Sequence, residues 1–335
     1  MIPQSAPLIK TASWQTELAN AIKDPISLLE QLGLSEQLQA IPADAIANFP
    51  LRVPQSYVDK MGFGDKNDPL LRQVFPLIDE SIEHDDFVHD PVGDHLAITS
   101  PGMLQKYNGR ALLLITGACA IHCRYCFRRH FPYSDSNPIA SQWQQTIDSI
   151  QSDTTINEVI FSGGDPLSLS DDKLSKLVEQ LDTIPHLKRL RIHTRLPIVL
   201  PNRINKQLLA WISKTRLDVV MVIHSNHANE LGDDVELALN QLHQAGCQLL
   251  NQAVLLKGVN DTADSLVDLS ERLSELKVIP YYLHLLDRVA GASHFDVSDD
   301  DGIELIKQIR ARLPGYLVPR LVREQQGESS KTVIA

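Results

Sequence analysis

Long apolar runs, aromatic residues, surplus positive charge and paired cysteines are all scarce in this 335-residue chain, and each scarcity closes off a class of protein. No apolar stretch approaches membrane-spanning length, and the N-terminus lacks the basic-then-apolar order of a secretory signal. The expectation is a cytoplasmic protein with no membrane partner. A formal charge of -11 argues against generic binding to nucleic acid, although a local basic patch could still hold a small anionic cofactor. Four cysteines, three of them clustered, do not make a disulfide framework, and a reducing compartment would keep their thiols available. What is present is an ordinary globular composition, 43% hydrophobic and 22% charged, in a chain long enough for one large domain or two smaller ones.

Residues 1–100 read as a mostly helical N-terminal region that wraps the main domain. Helical periodicity runs from Trp14 to Leu34, with Leu18, Ile22, Ile26, Leu28, Leu29 and Leu32 on a broad apolar stripe. Residues 101–320 read as the core and 321–335 as a C-terminal segment. In the core, short aliphatic or β-branched runs recur at 112–116, 158–162, 189–194, 219–224, 248–254 and 278–283. Amphipathic stretches of helical length alternate with them near 140–151, 171–182, 204–213, 230–245 and 262–276. A last helix fits 300–312, opened by Ser298-Asp-Asp-Asp301, which suits a capped, dipole-favoured N-terminus. Alternation of this kind implies a parallel sheet with right-handed crossovers. The expected class is α/β, a partial (β/α)6 TIM-like barrel, with chemistry beyond the C-terminal ends of its strands.

Directly after the first run comes Cys119-Ala-Ile-His-Cys123-Arg-Tyr-Cys126. Three thiolates on one short loop leave a four-position metal centre one ligand short, which suits an iron–sulfur cluster with one open iron. Arg124, Arg128 and Arg129 predict an electropositive loop that stabilises thiolates. The alternative is a Cys3His zinc site completed by His122 or His130. One β/α unit later stands Phe161-Ser-Gly-Gly-Asp-Pro166, where paired glycines would let backbone approach a ligand closely and expose amide donors. Together the two motifs match the pattern of radical S-adenosylmethionine (SAM) enzymes, Gly163, Gly164 and Asp165 corresponding to the element that binds the amine of SAM.

From about residue 95 to 331 the chain resembles the lysine 2,3-aminomutase family. The likeness is carried by Arg110-Ala-Leu-Leu-Leu-Ile-Thr116, by Cys119 to Phe131, and by Arg195-Leu-Pro-Ile-Val-Leu-Pro201. It continues through His224-Ser-Asn-His-Ala-Asn-Glu230, Leu250-Asn-Gln-Ala-Val254, Pro280-Tyr-Tyr-Leu283 and Gly315-Tyr-Leu-Val-Pro319. Within the family it is most similar to the short bacterial branch that supplies β-lysine for modifying elongation factor P. The resemblance implies three cofactors: a [4Fe-4S] cluster on Cys119, Cys123 and Cys126, SAM, and pyridoxal 5′-phosphate (PLP) on Lys331. Arg110 matches the position that contacts the PLP phosphate, and Gln252 matches another residue of that site. Arg128 matches the clamp on the substrate carboxylate. Asp287 and Glu324 match the acids that receive the distal ammonium of lysine. A glycine run that precedes the lysine in longer members is reduced here to Gly327, so the cofactor pocket is expected to differ in shape.

The activity so implied is conversion of L-α-lysine to β-lysine, a 1,2-amino shift on a PLP aldimine started by a 5′-deoxyadenosyl radical. It requires an external electron donor, links functionally to elongation factor P and its lysine ligase, and is compatible with a homo-oligomer. The alternatives are the same chemistry on arginine or glutamate, or a zinc-stabilised, non-catalytic binding protein. His193, His224 and His227 stand at predicted strand ends, either lining a cofactor site or satisfied in the core. Cys247 reads as a small buried hydrophobe. Longer members carry a zinc-binding C-terminal extension for which this chain has neither length nor cysteines, so no zinc is expected.

Overall fold

The computed structural model describes residues 13–35, 43–133 and 143–335. Ten strands form one sheet in sequence order: β1 (Ile98–Ser100), β2 (Met103–Leu104), β3 (Arg110–Thr116), β4 (Glu158–Gly163), β5 (Arg189–Thr194), β6 (Asp218–Ile223), β7 (Gln248–Val254), β8 (Ile279–His284), β9 (Arg320–Arg323) and β10 (Thr332–Val333). Strands β3 to β9 are parallel, while β1, β2 and β10 run antiparallel at the two ends. The six aliphatic runs of the sequence are β3 to β8, and the crossover helices are Trp143–Ser152, Asp171–Asp182, Lys206–Lys214, Asp233–Gln244, Ala263–Glu275 and Asp299–Arg310. This is the partial barrel of (β/α) units, extended by a seventh parallel strand, β9, that the sequence reading did not include. The start of the helix expected near 140 lies outside the described residues.

Burial explains the shape. On β5, Leu190, Ile192 and Thr194 are buried against the helices, while Arg189, Arg191 and His193 alternate with them on the other face. On β7, Leu249, Asn251 and Ala253 are buried, and Leu250, Gln252 and Val254 alternate with them. Period-two alternation between an apolar helix-facing side and a partly polar lumen is what a barrel wall requires. Ser298 caps the last helix, its Oγ accepting from the Asp301 amide at 3.1 Å.

The N-terminal region departs from its sequence reading. Instead of one helix from Trp14 to Leu34 there are two, Trp14–Ala19 and Pro25–Gln31. Asp24 caps the second, Pro25 sits at its first turn, and Ile22 between them pairs with Val53 as an isolated β-bridge. Proline lacks the N–H that a helix interior needs, so the apolar stripe continues while the helix does not. Among the described residues, no helix is long and apolar enough to cross a membrane.

Candidate active site

The cysteine loop leaves the C-terminal end of β3 and is tied down by the N-terminal region. The His122 amide donates to Arg52 O at 3.0 Å and the Arg124 amide to Gln73 O at 2.9 Å. Cys119, Cys123 and Cys126 are free thiols, each partly exposed. Among the described residues no three His, Cys, Asp or Glu side chains converge on a point that would hold a single metal ion. A cluster places each thiolate on its own iron, so it needs the three sulfurs on one loop rather than at one point. Neither histidine of the zinc alternative is turned to the thiols. His122 Nδ1 lies 2.7 Å from Pro50 O with its ring stacked on Phe49, and His130 Nε2 lies 3.1 Å from Ala290 O with its ring stacked on His89.

The expected electropositive loop is not what the structure shows. Arg124 is fully buried, pairs with Glu80 and donates to Phe49 O and Ala45 O. Arg129 shares Glu80, and Arg128 pairs with Asp94 at 2.7 Å. Each guanidinium already has its carboxylate, so burial dominates the thiols: Cys119 is pushed well up and Cys126 up to about 11. The cation that does reach a cysteine is Arg195, at the end of β5, whose Nη1 donates to Cys123 Sγ at 2.7 Å.

Gly163 and Gly164 are required by contact between two loops. A Cβ on Gly163 would lie 2.3 Å from Thr116 O, at a φ of +124°, and one on Gly164 would lie 2.4 Å from Ala118 O. The amides thought free for a ligand are spent within the protein, Gly164 N on Thr116 O at 2.7 Å and Asp165 N on Ala118 O at 2.8 Å. The Asp165 carboxylate is likewise occupied: it accepts from Thr194 Oγ1 and the Arg195 amide, both at 2.7 Å, and from the amides of Leu167 and Leu196. Burial nevertheless raises it to about 6. The motif's side chain therefore clamps the end of β5, and two of its amides clamp the turn from Thr116 to Ala118.

The residues matched to the PLP and substrate sites come together. Lys331 Nζ lies 2.5 Å from Glu324 Oε2, and Tyr107 Oη donates to Glu324 Oε1 at 2.6 Å. Arg110 lies over the Tyr107 ring, 5.3 Å from its centroid, and lines a cavity of about 390 Å³ with Glu158, Arg189, Arg191 and Tyr281. Asp287 is pushed up to about 7 by burial, with Lys331 opposing and Glu324 reinforcing the shift. Glu324 is held below its usual range despite burial, because Lys331 stabilises its charge. Arg128 Nη1 donates to Ser162 Oγ at 2.9 Å and is also within reach of Gly163 O, while its Nη2 donates to no described residue.

His193 and His224 meet edge to face at 5.7 Å; burial and then nearby cations, Lys331 among them, push both down, His224 to about 4. His227 instead caps the turn Ala228–Glu230 with its ring, accepting from the Asn229 amide. Cys247 is buried, as expected. The sequence reading missed Asp94, Lys106, Tyr107, Arg195, Glu230 and His284. Lys106 Nζ bridges to Asp94 at 2.7 Å, and through Asp94 the N-terminal region reaches Arg128. His284, at the end of β8, is buried and depressed by burial and Lys331. Only for Arg195 and Glu230 was there a signal, their places in matched stretches.

A PLP-sized group fits this set of polar atoms. Gln252 Oε1, an acceptor, and the ring nitrogens His224 Nε2 and His284 Nε2 are buried without a partner among the described residues. Lys331, an amine that can form a Schiff base, is near enough to both histidines to help depress them. Arg110 lies against Tyr107, whose hydroxyl shares Glu324 with Lys331, and suits a phosphate.

Residues 107–194 match the family described as a 4Fe-4S single cluster domain. The chain is 45% identical to the L-lysine 2,3-aminomutase of Escherichia coli over 95% of its own length and 93% of that protein. It is 45% identical to that of Haemophilus influenzae over its full length and 99% of that protein. Against the L-lysine 2,3-aminomutase of Clostridium subterminale identity is 32%, over 96% of this chain but 77% of the longer relative.

Proposed function

Because this chain belongs to the L-lysine 2,3-aminomutase family, enzymes of the isomerase class, we propose that it converts L-α-lysine to β-lysine in the cytoplasm using a [4Fe-4S] cluster, SAM and PLP. The observation that carries this reading is the grouping of Lys331 with two carboxylates, Glu324 and Asp287, in the same lumen as Arg128. A guanidinium whose Nη2 has no partner among the described residues suits an α-carboxylate, and two acids suit a distal ammonium. A glutamate substrate would meet two like charges instead.

When bound, the cluster with SAM would supply hydrogen-abstracting radical chemistry and PLP a delocalised π-system for the amino shift. Cys119, Cys123 and Cys126 would hold the first, and Lys331, Arg110 and Gln252 the second. The chain's own residues do the rest. Glu324 holds the Lys331 proton at Nζ and is the nearest acceptor when that amine must become nucleophilic. Asp287, near 7, changes charge in the physiological range and ionises when a substrate ammonium arrives. Asp94 fixes Arg128 at Nε and leaves the outer face of its fork for the carboxylate. His193, His224 and His284, held neutral by burial, line the lumen without adding cationic charge.

The finer reading is that the β-lysine serves elongation factor P and its lysine ligase, with electrons from an external one-electron donor. Near end-to-end agreement with the shorter relatives supports it. Anaerobic protein reconstituted with iron, sulfide and PLP, then given SAM, dithionite and L-lysine, should yield β-lysine by mass spectrometry. Product should vanish with Cys126→Ala or Lys331→Ala. SAM cleavage without β-lysine would move the substrate to another amino acid, and a colourless zinc protein would end the radical reading. Deleting the gene should remove the β-lysyl mass increment from elongation factor P.

A further inference from the structure

The guanidinium of Arg195 is almost wholly enclosed. Its Nη2 donates to Gln73 Oε1 at 2.6 Å, to Glu230 Oε2 at 2.9 Å and to Tyr57 Oη at 3.2 Å. The rings of Tyr57 and Tyr125 lie 5.5 and 5.7 Å from its centre. Its backbone amide is fixed by Asp165. Glu230 is itself fully buried, its other oxygen accepting from the amides of Asn226 at 2.8 Å and His227 at 3.0 Å. All of this holds an N–H of Nη1 against Cys123 Sγ at 2.7 Å. A purely structural arginine would be satisfied by Glu230, Gln73 and Tyr57; the contact with sulfur is what that role leaves unexplained.

We propose that Arg195 is a positioning residue for the iron–sulfur centre, donating to the Cys123 sulfur and setting the reduction potential of the cluster. This rests on the reading that Cys119, Cys123 and Cys126 carry that cluster. Reduction transfers one electron from a low-potential one-electron carrier to the cluster and adds one negative charge there. A fixed N–H and a positive charge beside a ligating sulfur stabilise the reduced form more than the oxidised one. Arg195 itself is buried, so water and salt screen its charge less than they would at the surface. Arginine suits the task because its fork reaches sulfur and carboxylate at once, which an ammonium cannot reproduce. Asp165, by clamping the Arg195 backbone, makes the Gly163-Gly164-Asp165 turn part of the same device.

The test is a redox titration of the reconstituted protein without SAM, following the EPR signal of the reduced cluster and checking iron and sulfide content in every variant. Arg195→Met should lower the midpoint, so that at a fixed donor potential the reduced fraction falls about tenfold. Glu230→Gln, which leaves the arginine uncompensated, should raise the midpoint. Arg195→Lys should fall between wild type and Arg195→Met. Opposite shifts from two partners in one ion pair are not what loss of packing produces. Equal midpoints in wild type and Arg195→Met at equal iron content would overturn the proposal, as would a shift seen only once SAM is added. Should Arg195→Met fail to hold iron, the other two variants decide, and unchanged midpoints in both overturn it equally. A wild-type protein that assembles no cluster would instead remove the proposed function itself.

Discussion

Lys331 and Glu324 face each other across the turn between β9 and β10, Nζ to Oε2 at 2.5 Å, with the other oxygen of Glu324 taken by Tyr107. Both side chains are largely out of water, 23% and 11% exposed, so the pair is not a solvent-screened surface contact. Its effect is to give the Lys331 amine a fixed place and a fixed proton acceptor.

Glu324→Gln should therefore lower kcat/KM for lysine by about 100-fold, since truncating one partner of a desolvated charge pair costs about 3 kcal/mol. Steady-state kinetics on protein with a verified cluster measures it. A loss under about threefold would mean that Lys331 does not depend on this carboxylate.

Gly164→Ala should destabilise the iron-free protein by about 3 kcal/mol, because the added methyl meets Ala118 O at 2.4 Å and both loops must move. Urea unfolding checks this. Gly315→Ala is the control, with nothing within 4 Å of the added carbon, and should leave the urea midpoint unmoved.

Asp287 predicts a pH dependence with a definite sign. Its folded value of about 7 lies above its ordinary 3.8, so the folded state binds the extra proton. The associated stability is present below about pH 4 and is lost as pH rises through about 7, at no more than about 1.4 kcal/mol per pH unit. Asp287→Asn should remove that slope. Thermal unfolding of both proteins at pH 5 and pH 8 should show the wild type losing more over the interval than the variant.

Asp94→Asn should weaken recognition of the substrate carboxylate, because Asp94 holds both Arg128 and Lys106 in place. KM for lysine should rise about tenfold or more. Lysine amide, which lacks the carboxylate, should be affected far less. Equal losses for the two substrates would show that Asp94 acts on the fold and not through Arg128.

The legible part of this protein was the part written in short-range pattern. The six strands β3 to β8 are six or seven residues long, rich in aliphatic residues or alternating with period two, and their helices carry caps and periodicity that depend on neighbours in sequence. Strands β1, β2, β9 and β10 are two to four residues long, too short to show alternation, and exist because a longer neighbour offers them a ladder. The cysteines were visible by spacing, but the charge around them was not. Arg124, Arg128 and Arg129 sit side by side with the cysteines in sequence, while Glu80 and Asp94, which neutralise them, come from distant turns. Asp165 was found for a ligand and turns out to serve β5, since its donors at Thr194, Arg195 and Leu196 lie about thirty residues away.

The clasp on the cysteine loop is made of main-chain atoms: Arg52 O receives the His122 amide, and Gln73 O receives that of Arg124. A carbonyl is the same on every residue. This grip therefore depends on the path of the segment from Arg52 to Gln73 and not on the side chains at those two ends, although Tyr57 and Gln73 use theirs on Arg195. A deletion of one residue there would do more harm than many exchanges, because it moves every carbonyl after it.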